Sequence, residues 1–284
     1  MNASPAAAGT NRVLVTGVRG KTGVPLAELL ASRGDVEVLG GSSDPSTVTQ
    51  DGVRPVAFSW DDPSGWPAAL DGVDAIYLVR PDRPDAPELV AAFLADVPAD
   101  VRVVLLSERA ADDTGPEGWA PRAERAVRDS GRPWTILRPS WFMQVFTDAR
   151  FYLADIVERS ELVFPSGGAT VAWIDARDIA AVAEQAILDP AHDSQTYELT
   201  GPESLTLART AELLSEVVGR PVAHREVSIE EAVEGMTGFD RDLTVLTFER
   251  VRDGSFTPVT DDVARVTGRP ARSLRELPAD TSPA

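Results

Sequence analysis

Short apolar runs alternate with amphipathic segments along the first half of the chain. The runs are rich in Val, Ile and Leu, which is typical of parallel strands buried on both faces. The segments between them place apolar residues at helical spacing, and Gly or Pro separates the two kinds of segment. This alternation predicts an α/β fold with a doubly wound parallel sheet of the Rossmann type, whose strands lie near residues 13–16, 36–39, 53–60, 73–79, 101–106 and 134–137.

The alternation changes after residue 140, where the pattern predicts a smaller C-terminal α/β lobe. We expect a hairpin-like excursion over 162–174 that returns to the sheet, a helix over 175–188 capped by Asp178, a strand at 197–199 and a helix over 205–218. The expected division is a disordered lead-in (1–11), a sheet domain (12–150, with 170–200 returning to it), the C-terminal lobe (151–169 and 201–277) and a flexible tail (278–284).

Composition excludes several classes of function. The chain has 284 residues, of which 43% are hydrophobic and 25% charged, as in soluble globular proteins. Its net charge of -18 argues against nucleic acid or an anionic membrane as partner. It has no cysteine, which rules out disulfides and thiolate chemistry, and no long apolar run. We therefore expect a cytoplasmic protein with a small-molecule substrate; monomer and dimer both stay open.

A glycine-rich loop follows the first predicted strand and precedes a helical pattern. Its spacing is G-x-x-G-x-x-G, and a strand, a glycine loop and a helix are the context of a dinucleotide-binding loop. Glycine allows a pyrophosphate to approach backbone N–H groups, and the helix N-terminus attracts the anion. The alternative is an ordinary turn between strand and helix. The candidate cofactor-binding residues of the loop are Gly17, Arg19, Gly20, Lys21, Thr22 and Gly23.

Ligands of doubly wound sheets bind at the carboxyl ends of the strands, which gives a second set of cofactor candidates. After the second strand the chain has two glycines and two serines in place of a carboxylate that would repel a 2′-phosphate, although Asp44 follows closely. Arg19 and Lys21 could supply positive charge to that phosphate. NADPH is therefore preferred, with NADH as the alternative. The candidates at strand ends are Ser42, Ser43, Asp61, Val79, Arg80, Ser107, Pro139 and Ser140.

An aromatic-rich stretch begins directly after the sixth predicted strand. Trp141, Phe142, Phe146 and Tyr152 fall in it, and Trp119 precedes it on a predicted helix. Core packing is one explanation for aromatic residues at this spacing. Because the stretch starts at a strand end, we predict instead that these five residues form the wall of a pocket for an apolar ring substrate.

Several blocks of the sequence resemble the NmrA-like branch of the atypical short-chain dehydrogenases/reductases. The blocks are Val-Thr-Gly-Val-Arg-Gly-Lys-Thr-Gly at 15–23, Val-Val-Leu-Leu-Ser at 103–107, Ala-Glu-Arg-Ala-Val-Arg-Asp-Ser-Gly at 123–131, Trp-Thr-Ile-Leu-Arg-Pro-Ser-Trp-Phe-Met-Gln at 134–144 and Asp-Ala-Arg-Asp-Ile-Ala at 175–180. The resemblance implies a Rossmann-type NAD(P) domain with a smaller C-terminal substrate lobe. In related reductases a basic residue before the second glycine accompanies NADP, and Arg19 stands there.

The chain departs from the superfamily in its catalytic residues. Ordinary members reduce carbonyls with a Ser and a Tyr-x-x-x-Lys motif, but Lys21 is the only lysine here and Trp119 or a neighbour replaces the tyrosine. An indole N–H is a donor only and no general acid. We therefore predict an NADPH-dependent ketoreductase of bulky, polyketide-like aromatic ketones, active in antibiotic biosynthesis. Ser107, water or the substrate's own hydroxyl would meet the oxyanion.

Other functions fit the same residues. Some NmrA-like proteins bind NAD(P) and regulate a partner protein without catalysis, which the missing Tyr and Lys would explain. The architecture would also suit a quinone or enone reductase, and, less well, an isomerase or cyclase with a retained cofactor. No metal site is expected, because His192 and His224 lie far apart in the sequence and outside any ligand-spaced cluster.

Overall fold

The computed structural model describes residues 11–278, and a seven-stranded parallel sheet organises them. The order of this sheet is β3-β2-β1-β4-β5-β6-β9, and all its neighbours pair in parallel. The predicted doubly wound α/β fold is confirmed. The strands are β1 (Asn11–Thr16), β2 (Val36–Ser42), β3 (Val53–Ala57), β4 (Ala75–Val79), β5 (Arg102–Leu106), β6 (Trp134–Pro139), β7 (Glu161–Val163), β8 (Thr170–Val171), β9 (Gln195–Leu199), β10 (Leu205–Thr206) and β11 (Ala223–Arg225).

Helices cover both faces of the sheet, because alternate residues of each strand point to opposite sides. Val13 and Val15 of β1 face one hydrophobic cluster, and Leu14 between them faces another. α1 and α5 contribute to the first cluster, while α2, α3 and α4 contribute to the second. The helices are α1 (Gly23–Ala31), α2 (Trp66–Ala69), α3 (Ala86–Asp96), α4 (Trp119–Asp129), α5 (Ala176–Leu188), α6 (Leu207–Val218), α7 (Ile229–Ala232), α8 (Gly238–Arg252) and α9 (Asp262–Thr267).

The second strand is longer than predicted and the third is shorter. β2 continues through Gly40 and Gly41 to Ser42, because the neighbouring strand leaves no room for side chains there. A Cβ on Gly40 would lie 2.8 Å from Val53 Cγ1. The two glycines are therefore part of the strand rather than its stop signal. β3 ends at Ala57, three residues before the predicted end at residue 60.

The hairpin predicted over 162–174 is wrong. β7 pairs in parallel with β11, and β8 pairs antiparallel with β10, so the two strands of the supposed hairpin belong to different small sheets. Gly167 and Gly168 between them do take positive φ values, as a turn requires. The partners of both strands come from distant sequence, which the local pattern does not reveal.

Asp178 does not cap α5 as predicted. The cap is Asp175, whose carboxylate accepts a hydrogen bond of 2.8 Å from the Arg177 N–H. Asp178 lies in the first turn and forms a salt bridge with Arg272. The backbone conformation decides which of the two aspartates is the cap. Asp175 has the extended backbone angles of an N-cap residue, with φ -78° and ψ 132°, and the helix begins directly after it.

A third hydrophobic cluster fills the C-terminal lobe. It includes Met143, Phe146 and Trp173, which the predicted division assigned to the sheet domain. The division of the chain into domains stays a prediction. Asn11 was predicted to belong to the disordered lead-in, but it is the first residue of β1, and its N–H donates to Asp35 O at 2.9 Å. The rest of the lead-in and residues 279–284 of the tail lie outside the described residues.

Candidate functional site

A cleft of about 1000 Å³ opens at the carboxyl ends of the sheet strands. Its lining comes from the glycine loop, from the loops after β2 to β6, and from α8 of the C-terminal lobe. This is the edge at which doubly wound sheets bind their ligands. The lining includes sixteen of the predicted site residues, namely Gly17, Arg19, Gly20, Lys21, Thr22, Ser42, Ser43, Asp61, Val79, Arg80, Ser107, Trp119, Pro139, Ser140, Trp141 and Phe142.

The glycine loop is built so that side chains cannot fill it. Gly17 has φ +66°, and a Cβ on Gly20 would lie 3.1 Å from Gly17 O. A Cβ on Gly23 would lie 2.2 Å from the same oxygen, so only a glycine at position 23 allows the two ends of the loop to approach this closely. Gly23 itself does not line the cleft. Thr22, the N-cap of α1, makes no side-chain capping bond, which leaves the helix N-terminus open to an anion. These features fit a pyrophosphate.

Arg19 faces the cleft near the end of β2. The nearby carboxylate is Asp44, which does not line the cleft, and its oxygen Oδ1 accepts bonds from Ser46 N at 3.0 Å and Ser46 Oγ at 2.6 Å. These two bonds lower the pKa of Asp44 and hold its charge in the turn. No salt bridge to Arg19 is found in residues 11–278. The Ser42 hydroxyl donates to Asp44 O at 2.9 Å, which fixes the strand end beside Arg19.

Lys21 is fixed by the segment that follows β6. Its ammonium forms a salt bridge with Asp148 and lies 4.4 Å from the centroid of the Phe151 ring. Bonds from Arg150 and Lys21 lower the pKa of Asp148. Phe151, which belongs to the aromatic-rich stretch of the sequence, and Arg150 both line the cleft, although neither was among the predicted site residues. The glycine loop is thus connected to residues 148–151 across the cleft.

Ser107 is not free to donate to a substrate oxyanion. Its hydroxyl donates at 2.6 Å to Glu124, a fully buried residue that also accepts from Arg138 Nε at 2.8 Å. With its proton used in this way, the serine offers only lone pairs to the cleft. This hydrogen bond argues against Ser107 as an oxyanion donor, and its catalytic role stays a prediction. Ser140 differs, because its buried hydroxyl has no partner among the described residues and is open to a ligand.

Two arginines clamp Glu108 on the floor of the cleft. Arg80 and Arg250 each approach its carboxylate to 2.6 Å, and their charges lower its pKa. Glu108 directly follows the predicted Ser107, so its strand-end position was a usable signal. Arg250 lies on α8, far along the chain, and no local pattern singled it out.

Trp119, which itself or through a neighbour was predicted to replace the superfamily's tyrosine, holds a loop in this structure. The Arg80 guanidinium stacks at 3.8 Å from the centroid of the Trp119 ring. The Trp119 indole N–H donates to Arg83 O at 2.8 Å. Both ends of the loop after β4 are therefore attached to this one side chain.

The aromatic wall of the cleft consists of seven residues, namely Phe58, Trp60, Trp119, Trp141, Phe142, Phe151 and Phe256. Phe146 and Tyr152 were predicted to belong to it, but this is wrong. Phe146 is buried in the core of the C-terminal lobe, with its ring 4.8 Å from that of Trp173, and Tyr152 packs against the same core. Core packing at helical spacing, the alternative explanation, holds for these two residues.

Metal and histidine chemistry find no support in residues 11–278. No group of three or more His, Cys, Asp or Glu that could hold a metal ion occurs there. His192 Nδ1 lies 2.7 Å from the Tyr197 hydroxyl and His224 Nε2 lies 3.0 Å from Phe164 O, and neither histidine lines the cleft. Within the same residues, none of the helices has the length and apolar character needed to cross a membrane.

The sheet order, the glycine loop and the cleft together define the class of Rossmann-type dinucleotide-binding proteins. Within this class the chain belongs to the NmrA-like family, whose model matches residues 9–259. The family predicted from the sequence blocks is thus confirmed.

Two relatives of known name are similar over most of the chain. One is the NAD(P)H azoreductase of Xenophilus azovorans, with 37% identity over 236 residues, which cover 80% of this chain and 82% of the relative. The other is the (4-alkanoyl-5-oxo-2,5-dihydrofuran-3-yl)methyl phosphate reductase of Streptomyces griseus. It is 35% identical over 279 residues, covering 94% of this chain and 97% of the relative.

Solved structures share the fold at lower identity. The triphenylmethane reductase of Citrobacter sp., complexed with NADP(H), superposes with a TM-score of 0.75 at 21% identity, covering 93% of this chain and 98% of that one. The negative transcriptional regulator NmrA, in complex with NAD, has a TM-score of 0.73 at 15% identity, covering 95% of each chain. These identities carry the fold alone.

Proposed function

We propose that the protein is an NADPH-dependent reductase of bulky aromatic acceptors. The coarser prediction, an NAD(P)H-dependent oxidoreductase, is confirmed by relatives at 37% and 35% identity that are named reductases. One observation carries the finer proposal. The glycine loop and the aromatic wall line the same cleft, so a dinucleotide on the loop would face an aromatic ring on the wall.

Arg19 supports NADPH as the cofactor rather than NADH. A guanidinium suits a phosphate group, and Arg19 forms no salt bridge within residues 11–278 that would compete for it. Asp44, the carboxylate that would repel a 2′-phosphate, has its oxygen bonded to Ser46. Ser43, Ser140 and the open N-terminus of α1 would complete the polar contacts of the cofactor.

The acceptor would be a conjugated aromatic ketone, quinone or azo compound. The predicted polyketide-like ketone belongs to this class. Proteins similar to this chain include an azoreductase, a triphenylmethane reductase and an NADPH-dependent quinone oxidoreductase from Escherichia coli. NADPH, when bound, supplies the hydride. The chain's own residues hold the acceptor ring against it and exclude water, which alone can lower a barrier by several kcal/mol. Ser107 would accept a hydrogen bond from the ligand rather than donate one.

Binding and turnover test the proposal separately. Fluorescence titration should give an NADPH dissociation constant at least tenfold below that of NADH. Arg19→Ala should abolish this preference, because it removes the guanidinium and leaves the loop intact. Arg33→Ala is the matched control, since Arg33 pairs with Asp35 and Glu184 beyond the end of α1. Equal affinity for both cofactors in the unmodified protein would contradict the choice of NADPH.

Consumption of NADPH separates the reductase from the regulator. We expect oxidation of NADPH with at least one member of a panel of a naphthoquinone, a sulfonated azo dye, a cationic triphenylmethane dye and a hydroxylated aromatic ketone. Tight binding of NADPH without turnover of any of them would instead favour the regulatory function for which the NmrA fold is also used.

A further inference from the structure

The cleft contains one carboxyl group that the structure leaves without a partner. Asp82 lines the cleft on the loop after β4, and no hydrogen bond or salt bridge to its side chain is found in residues 11–278. The other cleft carboxylates differ from it. Asp61 is 2.5 Å from Arg83 Nη1, and Glu108 is clamped between two arginines.

The loop holds Asp82 in a defined position. Pro81 precedes it and Pro84 closes the loop, and proline fixes φ of the backbone. Arg80 on one side is attached to Glu108 and to the Trp119 ring, and Arg83 on the other side is attached to Asp61 and to the Trp119 N–H. The residues on both sides of Asp82 are therefore fixed by contacts, whereas the Asp82 carboxyl group has no hydrogen bond or salt bridge within residues 11–278.

No other group lining the cleft is suited to release a proton. The tyrosines Tyr77, Tyr152 and Tyr197 all lie outside the lining, as do both histidines. Lys21 is paired with Asp148, and the two arginines on Glu108 keep that carboxylate ionised. Serine and threonine hydroxyls are far weaker acids than a carboxylic acid.

We propose that Asp82 is the proton donor of the reduction, which is the role of the tyrosine in ordinary members of the superfamily. This inference rests on the proposed reductase function. NADPH, when bound, would supply the hydride: a C–H bond of its nicotinamide ring would break, and a bond from that hydrogen to the acceptor would form. NADPH is oxidised to NADP⁺, and the acceptor gains two electrons. The acceptor oxygen or nitrogen takes the proton from the Asp82 carboxyl group, and water then reprotonates the carboxylate.

The net effect of its surroundings is to raise the pKa of Asp82. Burial raises its pKa, and the charges of Glu108 and Asp240 raise it further, whereas Arg80 and Lys21 lower it. Its side chain is still exposed to the open cleft, so a bound dinucleotide and acceptor would remove more water and raise the pKa again. A carboxylic acid with a raised pKa is what general acid catalysis near neutral pH requires.

The test uses two acceptors that differ in their need for a proton. Reduction of a quinone or an azo compound needs hydride and proton, whereas a cationic triphenylmethane dye becomes neutral by taking hydride alone. In the full-length protein Asp82→Asn should lower kcat for the quinone or azo acceptor about 100-fold, the scale of a general acid. Its kcat with the cationic dye and its dissociation constant for NADPH should change less than threefold.

The matched control is Asp85→Asn, three residues further along. Asp85 also carries a carboxylate and pairs with Arg83, but it does not line the cleft, so both reactions should stay within threefold of the original. The pH profile gives a second readout. With the quinone or azo acceptor, kcat should fall as pH rises through the pKa of Asp82, and this limb should be missing in Asp82→Asn.

The outcomes separate this inference from the function on which it rests. If the unmodified protein reduces quinones or azo compounds and Asp82→Asn keeps both the rate and the pH limb, another proton source operates and the inference is wrong. If the protein reduces only the cationic dye, it needs no donor, and the inference is equally wrong. If it oxidises NADPH with none of the acceptors, the proposed function itself fails.

Discussion

Ser107 shows how a single hydrogen bond changes the chemistry of a residue. Its place at the end of β5 suggested an oxyanion donor, but the buried Glu124 takes its proton. The sequence did contain this information in part, since Glu124 lies on the predicted helix that carries Trp119. That the helix would turn Glu124 towards Ser107, and that β6 would bring Arg138 to the same carboxylate, depended on packing that no spacing reveals.

Ser107→Ala should lower kcat/KM less than tenfold. The substitution removes a donor from Glu124, which keeps Arg138 and Arg128, so the free energy of unfolding should fall by about 1 kcal/mol, as for one hydrogen bond. Steady-state kinetics and urea unfolding measure the two effects. A loss of 100-fold or more at unchanged stability would restore the serine as an oxyanion donor.

At the scale of elements, the glycine loop depends on a contact between backbone atoms. Gly23→Ala would bring a Cβ to 2.2 Å from Gly17 O and 2.9 Å from Val18 Cα, and neither atom can move without opening the loop. We expect a loss of roughly 1–3 kcal/mol of stability, typical of overpacking, and loss of NADPH binding.

Gly34→Ala provides the comparison for this variant. Gly34 follows the same helix, and a Cβ there would meet nothing within 4 Å. Its stability and NADPH affinity should stay close to those of the unmodified protein in urea unfolding and fluorescence titration. Equal effects of both substitutions would mean that the tight approach in the loop is unimportant.

A helix or strand could be predicted from the sequence where one continuous segment carries the whole apolar pattern that the element buries. The strands and helices of the main sheet follow from apolar periodicity, because each must cover a face of the sheet. The small sheets β7–β11 and β8–β10 join strands that lie far apart in sequence. Each of these strands has only two or three residues, which are too few for an apolar pattern to indicate a distant partner. For the same reason Arg250 and Phe256 of the cleft were missed, while the strand-end residues were found.

Taken as a whole, the molecule concentrates positive charge at the cleft that we propose as its cofactor site. The cleft lining has six cationic side chains against the three carboxylates Asp61, Asp82 and Glu108, in a chain of net charge -18. This local excess should attract an anionic dinucleotide to an otherwise repulsive surface. The cationic residues are Arg19, Lys21, Arg80, Arg83, Arg150 and Arg250.

The stability of the whole chain should depend on pH through its paired carboxylates. The folded-state pKa values of Asp148, Asp175 and Glu108 are lowered, so each stabilises the fold above its unfolded pKa of about 4 and loses that contribution as pH falls through its folded pKa. Asp82 and Asp178, whose pKa values are raised, act in the opposite sense.

Urea unfolding should therefore give a nearly constant free energy of unfolding from pH 7 to about 5 and a decline below about pH 4. In Asp148→Asn the decline should be shallower, because the pair with Lys21 is already absent. An equally steep decline in this variant would mean that the pair contributes nothing to acid stability.

The connection of Lys21 to residues 148–151 has a practical consequence for chemical work on this protein. Since Lys21 is the only lysine, amine-directed reagents can acylate just one side chain besides the terminal amine, and that side chain belongs to the glycine loop. Immobilisation, dye labelling or crosslinking through amines would thus be directed either to the terminal amine or to the candidate cofactor site.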